Sequence, residues 1–314
     1  MNRMGQSGTP FLFIIDYEMV KPMIYTLDEI TKSNIFYSVN GMRNYIDTLS
    51  VNKTLVFSKN PVDFATYQKS YNKVLKALLF GNTFLTNLTF PTEIETNWSL
   101  KQIFENSDAP YRLFYNDKFV LFSPESFIRI RDGIISSFPM KGTIDASFPG
   151  ANEIILSDEK EKAEHATIVD LIRNDLSMVA TDVTVNRYRY VEEIKVHDKT
   201  LLQVSSEISG KLPSDYKSNL GTIIARLLPA GSICGAPKES TIRVIKEAEV
   251  YCRGYYTGVF GLFDGYNLDS AVMIRFIEKS GEKLWYKSGG GITIQSNPEK
   301  EYRELIEKVY VATH

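Results

Sequence analysis

Lys141 stands in SSFPMKGTIDAS (136–147), between a proline turn and a glycine, just after a run that reads as a β-strand. A lone lysine in a loop reads most plainly as a solvated surface cation, and other segments of the chain bear on that reading. Three further segments carry carboxylates that could partner it. Ser123-Pro124-Glu125 puts an acid where proline stops a strand ladder, and Glu164-His165 lies inside a long helical pattern. Glu301, Glu304 and Lys308 recur at i, i+3 and i+7, so they share one helix face. Each has a plain reading beside the chemical one. Glu125 can cap a local turn, and Glu164 can be one of the solvated charges of DEKEKAEH. Glu304 and Lys308 can be an ordinary i,i+4 pair worth roughly a few tenths of a kcal/mol.

Two glycine-rich stretches suit anions. KSGGGITIQS (287–296) follows a strand, but no Lys-Ser/Thr opens a helix after it, so it is not a P-loop. Consecutive glycines can instead bring backbone N–H groups close to a carboxylate. LLPAGSICGAPKEST (227–241) leads into a helix N-terminus, another anion-friendly place. Cys234 precedes Gly235 there without the spacing of a nucleophile elbow, and neither His165 nor His197 is assigned as its base.

The elements that must hold these residues follow from pattern. Strands are predicted over 11–20, 34–41 and 83–90, and a helix over 60–82, with Asn60 as N-cap and Pro61 in the first turn. Two hairpins turn at Asn116-Asp117 and Asp132-Gly133, pairs suited to type I′ turns. A long helix starts near Ser157. Strands near 183–210, helices at 218–228 and 238–250, and strands at 256–264, 269–278 and 283–287 follow. The last helix has Asn297 as N-cap and Pro298 at its first position. Strands clustered as hairpins with helices between the clusters predict an α+β fold, and no linker or repeat divides residues 1–314, so one domain is expected. Lys plus Arg is 36 against 38 for Asp plus Glu, which argues against a nucleic-acid partner. With no apolar run long enough for a membrane span, a polar N-terminus and only two cysteines, a cytoplasmic protein is expected.

Taken in order, GNTFLTNLTF, SPESF, FPMKGT, EKAEHATIVDLIRNDLSMV, LLPAGSICGAPKESTIRVI, RGYYTGVFG, AVMIRF and GGGITIQSNPEKEYRELIEK resemble the chorismate-utilising enzymes. These motifs span residues 81 to 308. The resemblance implies one α+β unit of two packed, mostly antiparallel β-sheets with helices on the outside and an active site between the sheets. It assigns Glu164, Glu301 and Glu304 to a Mg²⁺ that binds the ring carboxylate of chorismate, in keeping with that ion's preference for hard oxygen donors. It makes Glu125 the general acid for the leaving hydroxyl. Thr143, Tyr256 and Arg275 would contact substrate, the last two at the enolpyruvyl carboxylate. The amides of Gly289, Gly290 and Gly291 would help hold a carboxylate, and Lys308 would complete the charge balance.

Within this family the position of Lys141 separates branches. Anthranilate synthases carry a small residue there, and the aminodeoxychorismate synthases carry lysine in component I. The resemblance therefore implies amination of chorismate in the path to 4-aminobenzoate and folate, with ammonia supplied by a glutamine amidotransferase subunit. In the implied mechanism Lys141 adds at ring C2 as the C4 hydroxyl leaves with a proton from Glu125, and ammonia then attacks C4 and expels the lysine. Three positions depart from the family pattern. Leu85 stands where isochorismate and salicylate synthases use a lysine base, and where the amination branch usually has glutamine. Gln203 replaces a usual histidine, and Ala230 a usual glycine. Two alternatives stand beside this reading: anthranilate synthase component I, and a non-catalytic relative that only binds a carboxylate ligand or a partner.

Overall fold

The computed structural model describes residues 1–46, 54–196 and 199–313. After α1 (Asn2–Gln6) come β1 (Phe11–Ile15), β2 (Met23–Thr26), α2 (Leu27–Thr31), β3 (Ile35–Val39) and β4 (Met42–Arg43). Next are β5 (Phe57–Asn60), α3 (Phe64–Leu79), β6 (Leu85–Thr96) and α4 (Leu100–Asn106). Hairpins follow in β7 (Tyr111–Tyr115), β8 (Phe119–Ser123), β9 (Ser126–Arg131), β10 (Ile134–Ser137) and β11 (Met140–Asp145). Helices α5 (Ala151–Ser157) and α6 (Glu159–Ser177) lead to a long pair, β12 (Thr181–Val196) and β13 (Lys199–Lys211). The rest is α7 (Leu220–Leu227), β14 (Gly235–Ala236), α8 (Lys238–Ala248), β15 (Val259–Phe263), β16 (Leu268–Val272), β17 (Phe276–Ser280), β18 (Lys283–Ile292) and α9 (Pro298–Glu307).

The strands form two antiparallel sheets. One runs β11-β13-β10-β9-β16-β15-β1-β2, with β12 also on β13; the other runs β14-β6-β18-β17-β8-β7-β3-β4, with β5 on β6. Both faces of β1 are buried, which is why it reads as an unbroken apolar run rather than an alternation. Phe11, Phe13 and Ile15 pack with Ile168 and Ile172 of α6 and Ile223 of α7, while Leu12 and Ile14 pack with Tyr37, Leu113 and Phe276 of the second sheet. Helices α3, α8 and α9 cover the outer face of β6 and β18 through Tyr67, Val74, Val244 and Leu305. The order is helices, sheet, sheet, helices, as expected for the α+β fold.

Twice near the cleft the chain passes from one sheet to the other. Pro124-Glu125 joins β8 to β9, and residues 273–275 join β16 to β17. The crossings lie side by side: Val272 N–H donates to Glu125 O at 3.1 Å, and Phe122 N–H donates to Arg275 O at 3.2 Å. This splits the strand expected over 269–278. Its apolar residues are continuous because both halves are buried, so the pattern hides the crossing. Arg275 makes the bend at φ 52°, in the left-handed region.

Other expectations shift by local chemistry. The helix expected over 60–82 is α3, capped by Asp63 accepting from Thr66 N–H, because Phe57–Asn60 pairs as a strand with β6. The first strand stops at Ile15, where Asp16 carboxylate oxygens accept from the N–H groups of Val20 and Lys21. Strand β18 continues through the glycines to Ile292, paired residue by residue with β6. Both expected hairpin turns are present, with Asn116, Asp117, Asp132 and Gly133 all at positive φ. Among the described residues no helix is long and apolar enough to cross a membrane.

Candidate active site

Between the sheets lies a cleft of about 430 Å³, the size of a small-ligand site. All twelve residues singled out from the sequence line it: Glu125, Lys141, Thr143, Glu164, Tyr256, Arg275, Gly289, Gly290, Gly291, Glu301, Glu304 and Lys308. They come from both sheets, α6 and the C-terminal helix.

Lys141 sits in β11, where a β-bulge at Gly142 (φ 70°) shifts the pairing with β13. The bulge breaks strict alternation, so Lys141 and Gln203, the partner of Thr143, border the same cleft. The ammonium is about one-quarter exposed and pairs with Glu164 Oε2 at 3.1 Å. Glu164 projects from α6, whose N-cap is Asp158. Its neighbour His165 points into the protein instead. That ring is buried, lies 2.7 Å from Ser206 Oγ through Nε2, and is held down to about 4 by burial first, then by Arg189 and Lys141. His197 lies outside the described residues.

Glu125 occupies the first sheet crossing. Burial pushes its carboxyl up, opposed in turn by a hydrogen bond from Ser232 and by Lys141, Lys308 and Arg275. A buried carboxyl pushed above its ordinary range has the character of a general acid. Arg275, at the second crossing, donates to Lys308 O at 3.5 Å and lies 5.0 Å from the centre of the Tyr310 ring. Tyr256 is buried, and burial raises its hydroxyl.

The glycines of β18 pair with β6 along one edge, whereas β17 reaches only to Lys287 on the other. A Cβ at Gly290 would lie 3.6 Å from Glu301, 3.7 Å from Glu304 and 3.9 Å from Lys308. One at Gly291 would lie 3.1 Å from Leu85 and 3.9 Å from Lys141 Nζ. Glycine here keeps open the space between the charged groups. Lys308 Nζ contacts Glu304 at 2.6 Å and donates to Gly289 O at 3.0 Å. The i,i+4 pair therefore exists, and it faces the cleft. Glu301 is buried.

Sequence reasoning gave no role to Ser232, Lys287 or Glu161. Ser232 reaches Glu125 across 107 residues of chain, a contact no local spacing reveals. Lys287 is buried and donates to Arg253 O at 2.9 Å and Glu278 at 2.7 Å, on the cleft's border. Cys234 is wholly buried, and burial raises its thiol, the opposite of activation.

Among the described residues no three His, Cys, Asp or Glu side chains converge as a closed metal-ligand set. The donor chemistry nonetheless fits a divalent cation that keeps waters and shares a substrate's oxygens. Five acids line the cleft, with Glu161 beside Glu125, Glu164, Glu301 and Glu304, against the four bases Lys141, Arg275, Lys287 and Lys308. Were Glu125 neutral these would balance, and a doubly anionic ligand would call for two further positive charges.

Residues 30–314 match the family model described as chorismate binding enzyme. The chain is 51% identical over 311 residues to an uncharacterised PabA-like protein of Pasteurella multocida, covering 99% of this chain and 96% of that one. It is 31% identical over 261 residues to aminodeoxychorismate synthase component 1 of Bacillus subtilis, covering 78% of this chain and 54% of that protein. The crystal structure of anthranilate synthase component I from Streptococcus pneumoniae superposes with a TM-score of 0.69 at 26% identity, covering 82% of this chain and 59% of that one. The two-sheet architecture is that of the chorismate-utilising folds. The chain belongs to the chorismate-binding enzyme family.

Proposed function

We propose that the protein aminates chorismate at C4, as aminodeoxychorismate synthase component I, with ammonia from a glutaminase subunit. The observation that carries this reading is Lys141 itself: a primary amine in the cleft, paired with Glu164, in a lining where Leu85 stands in place of a lysine base. Lys141 adds at C2, and Glu125 gives its proton to the departing C4 hydroxyl. Arg275 and Tyr256 would hold the enolpyruvyl carboxylate, Thr143 would contact substrate and the amides of Gly289–Gly291 would help hold a carboxylate, a reading supported by their all lining the cleft. Glu164, Glu301 and Glu304 would hold Mg²⁺, which would supply positive charge for the ring carboxylate. The likeness to the Bacillus subtilis aminodeoxychorismate synthase component supports the reading. In this reading the protein belongs to 4-aminobenzoate and folate synthesis and works in the cytoplasm.

Anthranilate synthase component I is the second reading, favoured by relatives of that name, including one from Spirochaeta aurantia at 32% identity over 260 residues. Mass analysis of the product from chorismate, Mg²⁺ and ammonium separates them. 4-Amino-4-deoxychorismate is expected; fluorescent anthranilate with free pyruvate would overturn the proposal, and unchanged chorismate would leave a binding protein.

A further inference from the structure

Glu125 has open space on two sides. Besides the cleft, a smaller cavity of about 30 Å³ borders it, and Glu125 and Ser232 are the two residues common to both linings. The remaining walls of this recess are largely apolar, with Ile172 and Leu176 of α6 and Val272 of β16, and Ser137 and Asp175 add polar groups. That volume accommodates one molecule the size of water.

The serine hydroxyls that line the recess commit their protons elsewhere, and behind it Lys238 is turned to Asp175. Ser137 Oγ donates to Phe127 O at 3.0 Å, Ser232 Oγ to the Glu125 carboxylate, and Lys238 Nζ to Asp175 at 2.7 Å and Leu227 O at 3.1 Å. Ser126 Oγ likewise donates to Ser270 O at 3.4 Å, so the lining hydroxyls and Asp175 present lone pairs, and the acid form of Glu125 adds a single proton donor. Water brings as many acceptors as donors, whereas ammonia, of the same size, brings three N–H donors and a single lone pair. An acceptor-rich recess matches ammonia better.

We propose that this recess is the ammonia site, from which the nucleophile reaches the ring past Glu125 while chorismate fills the cleft. The inference rests on the amination reading. Lys141 first gives up its ammonium proton to solvent; in the first displacement its neutral amine bonds to C2 and becomes a secondary ammonium, while Glu125 loses its proton to the departing hydroxyl, which leaves as water. In the second, the ammonia nitrogen bonds to C4 and the C2–N bond breaks, its electron pair returning Lys141 to a neutral amine. The surplus proton on the new C4 ammonium passes to the Glu125 carboxylate, restoring the acid. A nucleophile entering beside Glu125 meets the base that must take its proton.

The test varies ammonium at saturating chorismate and Mg²⁺. Val272→Ile adds one methylene to the apolar wall, and it should raise KM for ammonium about tenfold while kcat and KM for chorismate stay within about twofold. Ser137→Ala removes an acceptor without adding bulk and should raise the same KM about threefold. Wild-type KM for ammonium in both variants would overturn the proposal and make the recess a structural water site. So would an equal rise in both KM values, which would mean that Val272→Ile merely displaces Glu125. If Val272→Ile does not fold, Ser137→Ala decides alone. Absence of any ammonium-dependent turnover by the wild type would instead remove the amination reading, before any variant is made.

Discussion

At Glu125 two opposing effects set the chemistry: burial favours the neutral acid, while Ser232 and the cations Lys141, Lys308 and Arg275 favour the carboxylate. Burial wins. Ser232→Ala removes a hydrogen bond made to the charged form, so the carboxyl should move further up. A general acid works when protonated, and its limb of the rate profile falls as pH rises through its pKa. The alkaline limb of chorismate consumption should therefore move to higher pH in Ser232→Ala, as steady-state rates across pH will report. An unmoved limb, or one moved down, would take the acid role from Glu125. Lys141→Arg keeps the charge opposite Glu164, but a guanidinium stays protonated and is a poor nucleophile. Turnover should fall on the order of a hundredfold or more, and acid-quenched samples should lose the adduct of chorismate less water. Near-normal turnover in Lys141→Arg would leave the lysine as a fixed charge only.

Strand β18 shows why its glycines are not interchangeable. A Cβ at Gly289 would meet the Leu88 carbonyl oxygen at 2.5 Å, a backbone atom that cannot move without parting the β6–β18 ladder. Gly289→Ala should lower stability by about 1–3 kcal/mol, visible as a lower melting temperature. At Gly290 the nearest group is Glu301 at 3.6 Å, ordinary contact, so Gly290→Ala should keep its melting temperature. Its methyl would stand among Glu301, Glu304 and Lys308, and KM for chorismate should rise about tenfold. Equal loss of stability in both variants would make the run a packing feature alone. The same strand marks what the sequence could and could not tell. The twelve residues given site roles border one cleft; helix periodicity and a strand end pointed to Glu164, Glu301 and Glu125, whereas Thr143, Tyr256 and Arg275 came from the family resemblance alone. Continuation of β18 through Gly289–Gly291 was not readable, because glycine carries no strand preference and the pairing partner lies far away in the chain. The crossing at residues 273–275 was hidden for the opposite reason, an apolar run buried in both sheets. The short helix α4 has its start written in the sequence as a capping box, Ser99 with Gln102.

Taken whole, the molecule places its acid and its arginine where the chain changes sheets, and its carboxylates on helices that close the cleft from outside. Positions fixed by two sheets at once are held more firmly than loop residues would be, which suits a reaction needing alignment of C2, C4 and two nucleophiles. In the proposed reading a doubly anionic substrate entering this cleft calls for a cation held by Glu164, Glu301 and Glu304. Chelator in excess should abolish turnover and Mg²⁺ restore it, with the melting temperature of the ligand-free protein unchanged; full activity in chelator would return Glu301 and Glu304 to a structural role. The nitrogen source is a question at this scale too. Releasing ammonia from glutamine calls for an activated nucleophile, commonly a cysteine beside a histidine. Cys234 is buried with a raised thiol, and the only histidine among the described residues, His165, is buried against Ser206 Oγ. Cys252 is exposed, and the described residues set no histidine beside it. The purified chain should therefore consume chorismate with ammonium salts and not with glutamine. Adding a glutaminase subunit should produce glutamine-dependent turnover, followed as glutamate release matched to chorismate loss. Glutamine-dependent turnover by the chain alone would show that the nitrogen is generated within it, and the recess behind Glu125 would then have to be reached from inside.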